Sequence, residues 1–347
     1  MDTILVLLHT ESDASLSTSA CEAVGAASRL GGELGVQGFS IGMIGASTQQ
    51  ALDGVASCGA TRFLAAEHAE LAQSRYATDA AAAEAVCRAS GATLVVAPMT
   101  SRWARTLPGV AHRLGGRVDT HVTGLGVTSG AVSASRWFYR QRMEGSLTRT
   151  RRPWIILIDP GAVAPWTGAA GAATAERVPV DLGAALTRTT VTGIEAPAAE
   201  QQTIRPDADL LFVAGAGWTK KQADGQVHSA DAETLILDFL RASRASLGSS
   251  KSLVDLSGEG QSVLQFLSHL NQVGQTGSTP RHPKGLATCC HGEEPHVVGW
   301  RFITERRAVN LDPNCGWARG KADVLYVADA FAVMKNVNEL LADGRQE

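Results

Sequence analysis

Leu210-Leu211-Phe212-Val213-Ala214 runs without a charge straight into Gly215-Ala216-Gly217. An unbroken apolar run that stops at a glycine turn reads as a strand buried on both faces. Around it strands and helices alternate. The spacing predicts a helix over Asp231 to Ser243 and a Gly248-Ser249-Ser250-Lys251 turn leading into Ser252 to Asp255. A helix over Ser262 to Leu270 and a polar turn, Val273-Gly274-Gln275-Thr276-Gly277, come next. Strands follow over Gly285 to Cys289, Ala308 to Asn310 and Asp323 to Val327, then a helix over Ala332 to Ala342. Within that helix, Lys335 to Leu341 is expected to dock on a partner. Strands alternating with helices imply a parallel sheet, and glycine turns at the ends of its strands are where such sheets hold ligands.

The first part of the chain has the same rhythm. Strands are read at Ile4 to Leu8, Val36 to Ile44, Arg62 to Ala65 and Thr93 to Ala97. Helices are read at Ser15 to Leu30 (stopping at Gly31-Gly32), Ser47 to Ala56, Thr78 to Ala89 and Trp103 to Leu114 (closed by Gly115-Gly116). His9-Thr10-Glu11-Ser12 has no glycine, so neither a dinucleotide fingerprint nor a P-loop follows the first strand. This half therefore reads as a scaffold.

From Asp119 to Ile158 the hydrophobic period becomes two. Val122 to Val127, Ala131 to Tyr139 and Pro153 to Leu157 read as strands, broken at Ser129-Gly130 and Met143-Glu144-Gly145, so an antiparallel addition is expected. Here Arg136, Arg140, Arg142, Arg149, Arg151 and Arg152 surround Trp137, Phe138 and Tyr139. A basic run with aromatics fits nucleic acid or an acidic partner, and equally a charged strand edge that resists edge-to-edge association. Residues 160 to 176, rich in Ala, Gly and Pro, read as loop. Leu186 to Ile194 reads as extended, and Glu195 to Glu200 as a linker.

With 347 residues, two domains are expected at about 150 residues each: 1 to 195 as scaffold and partner-binding domain, 196 to 347 as the ligand domain. The fold class is α/β, an N-terminal parallel sheet flanked by helices with an antiparallel addition and a C-terminal doubly wound sheet. The chain is 44% hydrophobic and 19% charged with a net charge of -3, which excludes a disordered chain and gives no global basic footprint for nucleic acid. Asp2 stands where a signal peptide needs a basic residue, and no stretch approaches the roughly 20 apolar residues of a membrane span. The six cysteines lack the spacing of a secreted disulfide framework, and Cys21, Cys58 and Cys87 in alanine-rich surroundings behave as small hydrophobes. A cytoplasmic, reduced protein without membrane insertion is the expectation.

The second half holds the densest polar region, Val273 to Gly277 followed by Cys289-Cys290-His291-Gly292-Glu293-Glu294-Pro295-His296. In order, Val213 to Gly217, Gly248 to Lys251, Val273 to Gly277, His291 to His296, Asn310-Leu311-Asp312-Pro313 and Val327 to Phe331 resemble the flavin-domain motifs of the α subunit of electron transfer flavoproteins. The resemblance is strong over about 205 to 342 and general elsewhere. It implies an electron carrier without substrate chemistry of its own, with FAD as cofactor, an electron transfer flavoprotein β-type subunit as heterodimer partner and a flavoprotein dehydrogenase as electron donor. It also implies that Thr276 faces the reactive flavin nitrogen, that Gly274 and Gln275 line the ring edge, and that His296 lies near the pyrimidine carbonyl, where a proton-bearing imidazole stabilises developing negative charge. Ser250 and Lys251 would flank the ring and pyrophosphate, and Asn310 and Asp329 the ribityl and adenosine end. Gly277, His291 and Gly292 complete the implied cofactor-binding set, and no catalytic residue is implied. Each has a reading without ligand as well: Thr276 as turn former, Asn310 as strand-end cap, His296 as a satisfied buried histidine.

Three departures stand against the family pattern. No arginine lies between Arg205 and Arg241, where the first glycine turn should carry one, and only Lys220 and Lys221 are near. The GxSR arginine is Lys251, which keeps the charge and loses the planar fork. The Glu293-Glu294 loop would set two carboxylates near a flavin that gains negative charge on reduction. A flavin-altered or flavin-free structural or nucleotide-binding subunit of a larger dehydrogenase complex is the alternative, and a nucleic-acid module built on residues 136 to 152 a third. Cys289, Cys290, His291 and His296, with Cys315, admit a metal or iron–sulfur reading. Adjacent cysteines rarely share one ion, however, and zinc prefers a gap of two to four residues between paired cysteines. Cys289 is read as strand core and no metal ligand is assigned.

Overall fold

The computed structural model describes residues 2–139, 143–193, 204–205, 208–255, 264–273, 280–288, 303–313 and 322–343. The chain divides into two compact units, Met1–Ile194 and Glu195–Glu347.

In the first unit β1 (Ile4–His9) is buried along its whole length. Successive side chains of a strand point to opposite faces, so this run demands cover on both. Ile4, Val6 and Leu8 pack with Ala23, Val24, Ala27 and Leu30 of helix α1 (Thr18–Leu34). Leu5 and Leu7 join Ala80, Ala83 and Val86 of α3 (Tyr76–Ser90) and Trp103, Leu107 and Val110 of α4 (Ser101–Arg113). Each fully buried leucine contributes about 2 kcal/mol. Strands β2 (Phe39–Gly45), β3 (Ala60–Glu67), β4 (Leu94–Pro98), β5 (Arg117–Thr128), β6 (Ala131–Phe138), β7 (Met143–Leu147), β8 (Trp154–Ile158) and β9 (Ala175–Arg177) complete a nine-stranded sheet of order β7-β6-β5-β8-β4-β1-β2-β3-β9. Pairing is parallel from β5 to β9, and β6 and β7 add antiparallel. Helix α2 (Gln49–Gly54) joins β2 to β3.

Several expectations are corrected. α1 does not stop at Gly31-Gly32; it continues to Leu34 and closes at Gly35, whose φ of 63° supplies the left-handed turn a helix end needs. Gly31 is a buried helical position instead. Met143 to Gly145 are part of strand β7. The Ala/Gly/Pro stretch after β8 lies along α1 and α2, with Trp166 N–H donating to the Cys21 carbonyl at 2.9 Å and Gly171 N–H to the Asp53 carbonyl at 2.8 Å. It then enters the sheet as β9. A Cβ on Gly25 would lie 2.6 Å from the Ala164 carbonyl oxygen, so small residues on both sides permit this close approach. The extended reading over Leu186 to Ile194 is corrected at its start, and Ile194 lies outside the described residues. Helix α5 (Gly183–Leu186) ends at Leu186, and residues 187–193 form no ladder.

The arginine run has internal partners. Asp119, 3% exposed, accepts Arg149 through Nε (2.9 Å) and Nη2 (2.8 Å) and the indole N–H of Trp154 at 2.9 Å, with Arg136 at 3.7 Å. Arg152 makes a two-pronged pair with Asp2 at 2.8 and 2.7 Å, which holds that carboxyl below its usual range. Arg151 donates to the Gly115 carbonyl. A charge that holds a buried carboxylate is committed to the fold. Arg140 and Arg142 lie outside the described residues.

Cys21, Cys58 and Cys87 are free thiols. Burial pushes Cys87 up to about 12, so it stays protonated.

The second unit has a five-stranded, wholly parallel sheet from β10 (Leu210–Ala214), β11 (Ser246–Ser249), β12 (Lys284–Thr288), β13 (Glu305–Asn310) and β14 (Val324–Val327), in the order β11-β10-β12-β13-β14. α6 (Ser229–Ser243), α7 (Lys251–Asp255) and α8 (Ala330–Asp343) accompany it. Phe212 and Ala214 pack with Ile236, Phe239, Leu240 and Met334 on one face; Leu211 and Val213 pack with Val273, Ala287 and Ile303 on the other. Within the described part of the expected helix over Ser262 to Leu270 there is only a short 3-10 turn, His269–Asn271. The linker Glu195 to Glu200 lies outside the described residues.

Asp119→Ala would strip a buried indole N–H and two guanidinium groups of their acceptor. A loss of about 2–3 kcal/mol is expected, below the usual cost of breaking a buried pair because Arg149 is partly exposed. Denaturant titration against the unsubstituted chain checks it.

Candidate functional site

In an open α/β sheet the ligand crevice lies at the carboxyl ends of the strands, where the strand order reverses. In the second unit the reversal is at β10: β11 pairs on one side of it and β12 on the other. Their carboxyl ends are tied together, with Gly215 N–H donating to the Thr288 carbonyl and Ser250 N–H to the Ala214 carbonyl, both at 2.9 Å.

Ser250, Lys251, Asn310 and Asp329 all lie at this edge, at the ends of β11, β13 and β14. Ser250 is 6% exposed, and its hydroxyl accepts the Leu253 N–H at 3.3 Å, opening α7. Lys251 is half exposed and 3.6 Å from Asp255, an exposed pair of little strength. Asn310 accepts the Asp312 N–H at 3.4 Å, and Asp329 accepts the Ala332 N–H at 2.9 Å, capping the last helix. Asn310 and Asp329 thus have local structural work at the edge. Gly274, Gln275, Thr276, Gly277, His291, Gly292 and His296 lie outside the described residues, as do Cys289, Cys290, Glu293, Glu294 and Cys315. Only their flanks are placed: Val273 beside β11, and Thr288 as the last residue of β12.

The expected Gly248 to Lys251 turn is corrected. Gly248 and Ser249 are the last two residues of β11, both buried, and the chain turns only at Ser250. Along the outer side of β11 runs the segment that leads to Gly274. Ser249 and Gln272 form a parallel bridge, Val273 N–H donates to the Ser249 carbonyl at 3.0 Å, and Asn271 Nδ2 donates to the Leu247 carbonyl at 3.2 Å. Gln272 and Val273 therefore lie beside the last residue of β11.

The first glycine turn, without its arginine, closes as the 3-10 turn Ala216–Thr219. Its Trp218 is wholly buried; the indole N–H donates to Thr288 Oγ1 at 2.9 Å, and the ring lies 4.6 Å from that of Phe331. Trp218 thereby bridges the carboxyl ends of the two strands at the order reversal, and Lys221 beyond it is exposed. Sequence reasoning missed Trp218, Thr288 and Ser249. A tryptophan beside Gly-Ala-Gly was the available signal for the first. The Ser249 hydroxyl is buried and has no hydrogen-bond partner among the described residues. An orphaned hydroxyl beside Ser250 and a cation at Lys251 fit the phosphate and hydroxyl groups of a dinucleotide cofactor. Among the described residues no group of three or more His, Cys, Asp or Glu could hold a metal ion.

The electron transfer flavoprotein domain family matches residues 4–183, just over half of the chain. The chain belongs to the electron transfer flavoprotein family. A search of curated protein sequences returns no match to it. The family match falls on the first unit, where the motifs were looser, and the C-terminal motifs lie beyond the matched residues.

In this flavoprotein-family unit the order reverses between β1 and β4. A polar network occupies their carboxyl ends. The Thr10 carbonyl can only accept, so His9 Nδ1 carries the proton toward it at 3.3 Å and Nε2 accepts the Thr100 hydroxyl at 3.0 Å. Thr100 also caps α4, accepting Trp103 N–H at 3.2 Å. Arg102, buried, donates to Asp79 through Nε (3.0 Å) and Nη2 (2.6 Å), and to the Leu71 carbonyl at 2.8 Å. His9 is thus paired with Thr100, and Arg102 with Asp79. Desolvation, then the Arg102 charge, lowers His9 from 6.5 to about 4, while burial raises Glu11 nearby.

The folded unit therefore refuses a proton that the unfolded chain accepts below about pH 6.5. The contribution of neutral His9 is whole above that pH and shrinks as pH falls toward 4, by about 3 kcal/mol in all. Comparing unfolding free energies at pH 7 and 4.5 for the unsubstituted chain and His9→Gln checks this: the variant should lose less on acidification.

Proposed function

We propose that this chain is the α-type subunit of an electron transfer flavoprotein heterodimer, with FAD along the carboxyl edge of the second sheet. It would take electrons from a partner flavoprotein dehydrogenase and pass them to an onward acceptor. The observation that carries this is the wholly parallel sheet whose carboxyl edge gathers Ser249, Ser250, Lys251, Asn310 and Asp329 in a chain of this family. Bound FAD supplies the redox chemistry. The residues' task is to bind, orient and tune it.

Ser249 and Ser250 offer hydroxyls, and Lys251 offers a positive charge that its weak pairing with Asp255 leaves available to a pyrophosphate. Gly274, Gln275, Thr276 and Gly277 would line the ring, with Thr276 at the reactive nitrogen. His296, with His291 and Gly292, would supply a donor where reduction places negative charge. Lys251 in place of arginine gives a point charge without bidentate geometry.

A second reading, a flavin-altered or flavin-free structural or nucleotide-binding subunit of a larger dehydrogenase complex, draws support from the closed turn around Trp218. The visible spectrum of the chain purified with its partner separates the two. Flavin bands support the carrier, whereas their absence, with no recovery on adding FAD, supports the second reading. On the carrier reading Lys251→Ala weakens FAD binding by roughly tenfold, the scale of one lost charge-assisted contact, while Lys251→Arg retains it. A titration of the apoprotein with FAD measures both. No helix among the described residues is long and apolar enough to cross a membrane; a cytoplasmic location is part of this proposal.

A further inference from the structure

We infer that a cavity in the first unit, with Arg75 at its floor and Glu70 at its rim, binds a small α-amino-acid zwitterion. It uses no residue of the flavin site and does not rest on the FAD reading above.

The chain builds this cavity just after β3. His68 caps a 3-10 turn, Ala69–Leu71, by accepting the Glu70 N–H at 3.1 Å, and Leu71 fixes the turn in the core. Arg75 follows, immediately before α3. Residues 187–193, which join no ladder, return to the same corner, where the Thr189 carbonyl accepts Nη1 of Arg75 at 3.0 Å. Thr190 and Val191 then enclose a space of about 280 Å³ against Glu70, Gln73 and Arg75. Ala69 and Ala72 also line it and bring only methyl groups, which leaves it unfilled. This volume is at the lower end of small-molecule sites, about 300 Å³, so the occupant is small.

Arg75 is 8% exposed. Its guanidinium carries five N–H donors. Among the described residues it makes two bonds, to the Thr189 carbonyl and, through Nη2, to Glu70 Oε2 at 2.5 Å. Buried donors on a cation demand acceptors, and a carboxylate is the best match to a guanidinium. A simple anion entering here, however, meets the charge of Glu70, whose side chain is half exposed and whose Oε1 accepts no hydrogen bond among the described residues. A ligand that carries an ammonium beside its carboxylate turns that repulsion into attraction. Floor and rim charges in direct contact therefore select adjacent opposite charges over either charge alone. The Gln73 amide and the Thr190 hydroxyl offer neutral donors and acceptors to the rest of the ligand.

Ligand-observed NMR titration of the full chain with glycine, acetate and methylammonium tests this, with far-UV circular dichroism of each variant in parallel. Glycine should saturate in the millimolar range, with acetate and methylammonium each roughly tenfold weaker. Glu70→Gln keeps an acceptor for Arg75 and removes the rim charge, so glycine should weaken roughly tenfold and acetate should tighten until the two are alike. Arg75→Met should abolish binding of both. If Arg75→Met does not fold, Glu70→Gln carries the test, because its side chain stands half in solvent. No saturable binding of glycine, equal affinity for the three probes, or a glycine affinity unchanged by Glu70→Gln overturns the inference and leaves the flavin reading untouched.

Discussion

The structure depends on strands that are apolar on both faces. β1 and β10 carry no charged side chain, so each can lie only at the centre of a sheet covered by helices on both sides. Parallel neighbours follow, because a crossover helix returns the chain to the same end. The two units share this logic while differing in size, and both reverse strand order beside the strand that starts them.

The two reversal points then diverge. At β1/β4, His9 pairs with Thr100 and Arg102 with Asp79, and desolvation keeps the imidazole neutral. At β10/β12, Trp218 spans the strand ends, and the half-exposed cation Lys251 stands one strand outward, past the end of β11.

The fold was legible wherever apolar periodicity was long. The strands of both sheets other than β7, β9 and β11, and α3, α4, α6 and α8, follow from it to within a few residues. It was illegible where a glycine's role depends on a distant neighbour: Gly31-Gly32 looks like a helix stop and is helix, while Gly248 looks like a turn and is strand. The arginines of the antiparallel addition show the same limit. Composition alone left them open to nucleic acid, an acidic partner or a charged edge, and Asp119, Asp2 and the Gly115 carbonyl turn out to hold Arg149, Arg152 and Arg151.

By itself the sequence determined the α/β class, the alternation of elements and the glycine turn after β10, because those depend on local burial periods and backbone freedom. Only the tertiary structure decided which partner each polar group finds. It paired Asn271 with β11, set Val273 against Gly248, turned Trp218 toward Thr288 and left the Ser249 hydroxyl without a partner among the described residues. Hydrogen bonds and close contacts join residues far apart in the chain, and periodicity carries no record of them.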